Sequence, residues 1–416
     1  MMKDIRVISM ISSQQQYKIN SSIIFNYLRE KGPLSRKQIS IDLGISAPVV
    51  SKVIEDFINE SLVIEKGKVK TKSGKRPIML EVKGDDIFVI GIDMGKEKLR
   101  MALTDFNGSL VERYIGFEMI KNIKNLDKKI ANEIKIFFKK IKLKKPIKIK
   151  DIKGICIGFP ASINSINDTI IDGTLYRNWE KLNFIEVLGK EFNVPIYLEN
   201  DVNLSAIAEK RFGKGKKFKD IIFMEISNGI GVGIIIDDYI HRGSKGSAGE
   251  IAFKIINREN LSFKLKNKGF FEKYASMEGL KKSFIDAIKD GVESLVKDRV
   301  SGNLENIEPY MIIEAAEQGD KLSKSILKKE VDLLSLSLID LILNFDTEII
   351  ILGGDILNLP EKEKFILKPI IKNIKNIIPF EIPPIDFSSL GEDACTTGAS
   401  DFAINSQITS RFPYKM

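Results

Sequence analysis

LSRKQISIDLGISAPVVSKVIEDFINE, residues 34–60, is the stretch that decides how the amino end folds. Ile39, Ile41, Leu43, Ile45, Val49, Val50, Val53, Ile54 and Phe57 recur at helical spacing on two short segments and give each one buried face. Gly44 stands where the chain must turn sharply between them, and Ser46 is placed to cap the second helix. Ala47, Pro48, Ser51 and Lys52 then fall on the outer side of that helix, while Ser35 and Arg36 open the first. A helix-turn-helix offers this part of its second helix to the DNA major groove.

Working outward, residues 20–31 read as a preceding helix that Gly32 and Pro33 end. Leu62–Glu65 and Ile78–Val82 read as short strands around a basic, glycine-containing loop. Three helices and a hairpin make a winged helix, so residues 1–84 are expected to form a DNA-binding domain. The wing tip, with Lys72, Gly74, Lys75 and Arg76, suits a minor groove. Charge agrees: residues 1–84 hold fifteen Lys/Arg against eight Asp/Glu, most of the whole chain's net +9. Lysine runs elsewhere weigh less, because only 12 of the 65 basic residues are Arg and Lys, Ile and Asn abound throughout. The run from Lys121 to Lys150 is the solvated face of an amphipathic helix built on Ile130, Ile134, Phe137, Phe138 and Ile141.

The remaining composition is that of a globular protein of two or three domains, with 43% hydrophobic and 29% charged residues. No apolar run reaches a membrane span and the first residues lack a secretory h-region, so a cytoplasmic location is expected. Cys156 and Cys395, the two cysteines, suggest neither a disulfide framework nor a sulfur-rich metal site. Lys83–Asp86 read as a boundary. Beyond it, residues 85–416 alternate as α/β, with strands over 87–93, 99–105, 110–117, 152–158, 194–198, 220–227, 232–236 and 348–352. Helices are expected over 203–211, 271–298, 309–317 and 321–344. Strand-turn-strand with a glycine-rich turn occurs twice, which suits two similar lobes around a cleft.

The segments GIDMGKEKLRMALTDFNG, GFPASINSINDTIIDGTLYRNWEKLNF, LENDVNLSAIAE, ISNGIGVGIIIDDYIHRGSKGSAGEIAF and ILGGDI follow one another in this order. The ordered set resembles the ROK family of sugar kinases and sugar-responsive repressors, and with the winged helix it is similar to the repressor branch that includes xylose repressors. The resemblance implies a two-lobed actin-like ATPase (ribonuclease H-like) fold. It also implies that Asn178, Asn200, Asp201, Glu250 and Glu272 face a sugar, with Asp201 in the place of the family kinases' general base. A carboxylate there holds a sugar hydroxyl equally well without chemistry, and the asparagines offer both donors and acceptors. His241, the sole histidine, reads as a surface residue.

Three departures set the expectation against catalysis. Where the family's phosphate loop is Asp-x-Gly-Gly-Thr-Lys, this chain has Asp93-Met94-Gly95-Lys96-Glu97-Lys98, which puts a bulky cation in place of glycine and an anion in place of a hydroxyl. The second loop, Ser227-Asn228-Gly229, has Asn228 in place of threonine. The family's zinc ligands correspond to Phe253, Phe263, Leu265 and Phe270, none of which can bind zinc, so no metal cofactor is expected. All four are apolar, and they read as a hydrophobic cluster in place of the metal. The expected function is a repressor of carbohydrate genes that binds operator DNA and a xylose- or glucose-like monosaccharide, as a homodimer or tetramer. An active sugar kinase with an accessory DNA-binding arm is the alternative. A phosphosugar effector, favoured by Lys96 and Lys98, or a protein partner is a third.

Overall fold

The computed structural model describes residues 13–68, 77–95, 97–119, 124–142, 146–164, 169–170, 182–262 and 269–411. The amino-terminal unit contains α1 (Ser13–Lys31), α2 (Arg36–Leu43), α3 (Ala47–Asn59) and the antiparallel pair β1 (Val63–Lys68) and β2 (Ile78–Val82). Gly44 takes a left-handed φ of 65° at the end of α2, where its N–H returns to Ile41 O. Val50, Val53, Ile54 and Phe57 turn the apolar face of α3 inward against Ile24, Phe25 and Leu28 of α1.

Two five-stranded sheets follow, and they share one topology. The first is ordered β5 (Leu110–Glu118), β4 (Lys98–Asp105), β3 (Phe88–Asp93), β6 (Ile152–Phe159), β9 (Ile196–Asn200). The second is ordered β12 (Tyr239–Ile240), β11 (Ile230–Ile236), β10 (Ile221–Ile226), β13 (Ile349–Gly353), β14 (Ile385–Phe387). In each, the central strand pairs antiparallel with the strand that follows it and parallel with a later one. The duplicated strand-turn-strand pattern in the sequence is thus the start of each sheet. A small pair, β7 (Ile163–Asn164) and β8 (Thr169–Ile170), edges the first lobe.

α4 (Leu126–Lys142) and α5 (Phe184–Phe192) cover one face of the first sheet. α6 (Asp201–Phe212) and α13 (Ala394–Arg411) lie on its other face, with α6 also against β10 and β11. The second lobe adds α7 (Phe270–Ala275), α8 (Met277–Lys289), α9 (Leu295–Arg299), α10 (Pro309–Glu317), α11 (Lys321–Phe345) and α12 (Lys368–Ile377). The helix expected over 271–298 is therefore three. Ser276 caps α8 by accepting from Gly279 N at 3.1 Å, Gly291 turns the chain with φ 91°, and Ser294 caps α9. Serine side chains that satisfy helix-end donors start new helices where apolar periodicity alone runs on.

Lys83–Asp86 mark a change of pattern, yet the core does not stop there. One apolar cluster joins Phe25, Ile54 and Leu80 to Val89, Phe106, Leu204, Ala403 and Ile408, so α1 and β2 share an interior with the first lobe and α13. Phe25 meets Phe57 and Phe106 edge-on, at centroid distances of 5.6 and 6.3 Å. No helix among the described residues is long and apolar enough to cross a membrane.

Candidate functional site

Two cavities meet between the lobes. The smaller, about 110 Å³, is lined by Ala161, Ser162, Asn200, Asp201, Glu250 and Glu272, among others. Four of the five residues expected at a sugar therefore converge, from β9, the start of α6, the turn after β12 and α7. Asn178 lies outside the described residues. Asp201, on the first turn of α6, is buried and accepts from Val202 N at 2.9 Å. Glu250 accepts from Ser162 Oγ, which fixes the carboxylate on the cavity wall. Glu272 is 4% exposed, and a Cβ on Gly229 would come within 2.7 Å of its Oε1, so that glycine lets the β10–β11 turn close over the acid.

Asn200 lines the same cavity but is already engaged. Its Oδ1 caps α6 by accepting from Asn203 N at 3.0 Å, and its Nδ2 donates to Ala161 O at 3.3 Å. Next to it the buried Glu199 accepts from Arg242 Nε at 2.6 Å and Asn203 Nδ2 at 3.0 Å. Sequence reading passed over Glu199, Ser162 and Glu225. An acid inside an otherwise apolar strand, as in IYLEN and IIFMEI, is the signal that finds the two glutamates.

The larger cavity, about 390 Å³, lies beside the smaller one and shares Asp201 and Glu225 with it. Its wall also carries Asp93, Glu97, Glu308, Asp355 and Glu392, against Lys98 and Arg100. Arg100 is spent, 3.1 Å from Glu392 and 4.0 Å from Asp93. Burial raises the Asp93 carboxyl above the usual range and nearby Glu225 adds to the rise, while the Gly95 N–H, donating at 2.8 Å, opposes both. Asn228 lines this cavity and Ser227 Oγ ties to Asp355 N at 3.0 Å. Lys96 lies outside the described residues.

At the family's zinc positions, Phe253 is 40% exposed and lines the smaller cavity, whereas Phe270 is half-buried at the start of α7. The core there is made by Ala252 and Phe271. The expected apolar cluster is corrected to this extent: Phe253 faces the cavity, because the short turn Ile251–Phe253 buries Ala252. Phe263 and Leu265 lie outside the described residues. Among the described residues no three His, Cys, Asp or Glu are grouped to hold a metal ion. His241 is exposed on the segment after β12.

On the amino-terminal unit, Ser46, Ala47, Pro48, Ser51 and Lys52 are all exposed. Ser46 stands at the N-cap of α3 without a side-chain bond into it, contrary to expectation. Pro48, in the first turn, has no N–H to offer, which removes one of the two donors such a hydroxyl uses. Ser35 instead caps α2, accepting from Gln38 N at 3.2 Å. Arg36 Nη1 lies 3.4 Å from Glu65 on β1, and Lys52 Nζ sits 5.4 Å from the Tyr17 ring centroid. Lys72, Gly74, Lys75 and Arg76 lie outside the described residues.

The ROK family profile matches residues 89–406. A xylose repressor of Caldicellulosiruptor bescii is 29% identical, with 94% of this chain and 97% of that protein covered. A ROK-family transcriptional regulator, a homologue of the E. coli MLC protein, has a crystal structure that superposes with a TM-score of 0.78 at 20% identity, over 95% of this chain and 97% of that one. The ROK glucokinase of Streptomyces griseus, solved with glucose and AMPPNP, gives 0.63 at 24% identity, over 76% of this chain and 99% of the enzyme. At these identities the two structures establish the fold.

Proposed function

This chain belongs to the ROK family, and from that premise we propose that it is a sugar-responsive transcriptional repressor of carbohydrate-utilisation genes that has no kinase activity. Residues 1–84 act as a winged helix-turn-helix on operator DNA, and residues 85–416 as the effector domain. The exposed Ser46, Ala47, Pro48, Ser51 and Lys52 meet the major groove, Ser35 and Arg36 the backbone, and Lys72–Arg76 the minor groove. A monosaccharide of the xylose or glucose type sits against Asn200, Asp201, Glu250 and Glu272, with Asn178 joining them as the family resemblance implies. The likeness to xylose repressors over nearly the whole chain supports this reading.

One observation carries it: the cleft offers carboxylates to a neutral polyol on one side and an acidic wall to a nucleotide on the other. Sugar hydroxyls donate to carboxylates, whereas phosphates only accept and are repelled. Asp201 is then a sugar anchor and not a general base. Closing the lobes on a sugar changes the spacing of two reading heads in a dimer or tetramer. Half-sites lie roughly 34–36 Å apart, so a modest change prevents both from docking. The sugar must favour the closed form for this to work. No zinc is needed where Phe253, Phe263, Leu265 and Phe270 replace its ligands.

Two measurements test the proposal. The full-length protein should enrich a palindromic duplex from a random pool, with affinity falling steeply as salt rises, and D-xylose or D-glucose should weaken that complex. Affinity independent of sequence at physiological salt refutes it. Incubation with ATP-Mg and a panel of monosaccharides should give no ADP. Sugar-dependent ADP release would establish the kinase reading instead.

A further inference from the structure

α6 has two working ends. Asp201 opens it at the smaller cavity, and Arg211 stands one residue from its other end, about 15 Å away at 1.5 Å per residue. Arg211 Nη2 donates to Asn26 Oδ1 of α1 at 2.8 Å, and its Nε lies 3.7 Å from Asp401 Oδ1 on α13. The same Asp401 takes the Arg29 guanidinium of α1, and these two side chains are 2% and 3% exposed. Asn405 completes the joint. It accepts from Asn26 Nδ2 at 2.6 Å and Ser22 Oγ at 3.2 Å, and it donates to Asp401 Oδ2 at 2.9 Å.

One buried carboxylate thus serves two guanidinium groups, the buried Arg29 and the partly exposed Arg211, and two donors, Arg29 Nη1 and Arg211 Nε, are left without a hydrogen-bond partner. Burial lowers the Arg29 pKa, as expected where a cation is incompletely paired. Buried charges are costly unless well paired, so which partners Arg211 and Arg29 keep at this joint bears on its stability. α6 does not slide past α13: a Cβ on Gly398 would lie 1.8 Å from Leu204 O, so the two backbones touch. A displacement at the cavity end of α6 therefore reaches the Asp401 joint as a rigid-body movement.

We infer that Arg211 carries sugar occupancy to the DNA-binding unit, by keeping or losing Asn26 of α1 as α6 and α13 move together. Arg211 touches neither sugar nor DNA; it is a positioning residue. The inference rests on the repressor reading, and the two fail differently.

The experiment uses the full-length protein and the duplex it enriches. D-Xylose and D-glucose are titrated by calorimetry with and without the duplex, and the ratio of the two sugar dissociation constants is the coupling factor. In wild type this factor should lie in the usual range of roughly 5–150-fold. Arg211→Gln should leave sugar affinity without DNA, and duplex affinity without sugar, within about threefold, while bringing the factor to within about twofold of one. Arg211→Lys keeps the charge but not the fork, so it should retain part of the coupling. Asn26→Ala leaves Asp401 paired and should uncouple as well, which guards against Arg211→Gln simply failing to fold. Wild-type coupling in either Arg211→Gln or Asn26→Ala, with the variant folded, overturns the inference. A wild-type factor of one with both sugars overturns the sugar-sensing reading itself.

Discussion

The two cavities that meet at Asp201 and Glu225 are both rich in carboxylates, yet under the proposed reading they suit different guests. In the smaller cavity, Asp201, Glu250 and Glu272 are brought together beside glycine-rich turns, and on that reading their carboxylates accept from sugar hydroxyls. On the nucleotide side, Asp93, Glu97, Glu308, Asp355 and Glu392 crowd a larger space in which Arg100 is already paired. Two like charges 5 Å apart repel by about 3 kcal/mol at an effective dielectric of 20, so under the proposed reading these acids oppose a triphosphate even where Arg100 meets Glu392 and Lys281 meets Glu308. A duplicated fold does not have to keep both halves of its cleft competent. On the same reading, substitution of a few loop residues leaves such a cleft with one ligand without touching either sheet.

The largest expected effect breaks the sugar side. Asp201→Asn keeps shape but gives up the charge-assisted acceptors, so D-xylose or D-glucose affinity should fall about 10- to 100-fold by calorimetry, while duplex affinity without sugar stays put. A change of less than about threefold would remove Asp201 from the sugar site and undo the contrast between the cavities.

A smaller effect is expected in reverse on the nucleotide side. Glu97→Thr restores the hydroxyl of the family's phosphate loop and deletes one anion. ATP-Mg affinity, which should be undetectable at millimolar concentration in wild type, should rise about tenfold, as one removed repulsion of about 1.4 kcal/mol allows. Tight ATP binding by the wild type would show that the acidic wall does not exclude phosphate.

Much of this could be read from the chain because it is local. Continuous Ile-rich runs marked the central strands of both sheets, and Gly44 and Gly229 marked turns whose backbone demands are visible in one residue. Tertiary partnerships were not legible in the same way. Lys52 has the spacing of a DNA contact, yet its ammonium lies over Tyr17, thirty-five positions earlier. Arg36 likewise reaches Glu65 across the hairpin. The 394–411 helix shows little apolar periodicity, because its small residues pack against β3, β6 and α6 on several sides. Its Asp401 and Asn405 gain meaning only once α1 is laid beside them.

The smallest effect concerns Phe253, which stands on the rim where the two accounts of this loop divide. As a cavity wall, a 40% exposed ring gives its value to the bound sugar. As a substitute for metal, it gives its value to the fold. Covering about 40 Å² of apolar surface on a sugar ring is worth about 1 kcal/mol, or roughly fivefold in affinity. Phe253→Ala should therefore weaken D-xylose or D-glucose binding about fivefold and leave thermal stability within about 0.5 kcal/mol, as for other exposed positions. The opposite pattern, a melting temperature several degrees lower with sugar affinity unchanged, would assign the ring to the local scaffold. In that case the sugar cavity ends at Glu250, and the aromatic residues of this loop hold the fold where the family's zinc would have done so.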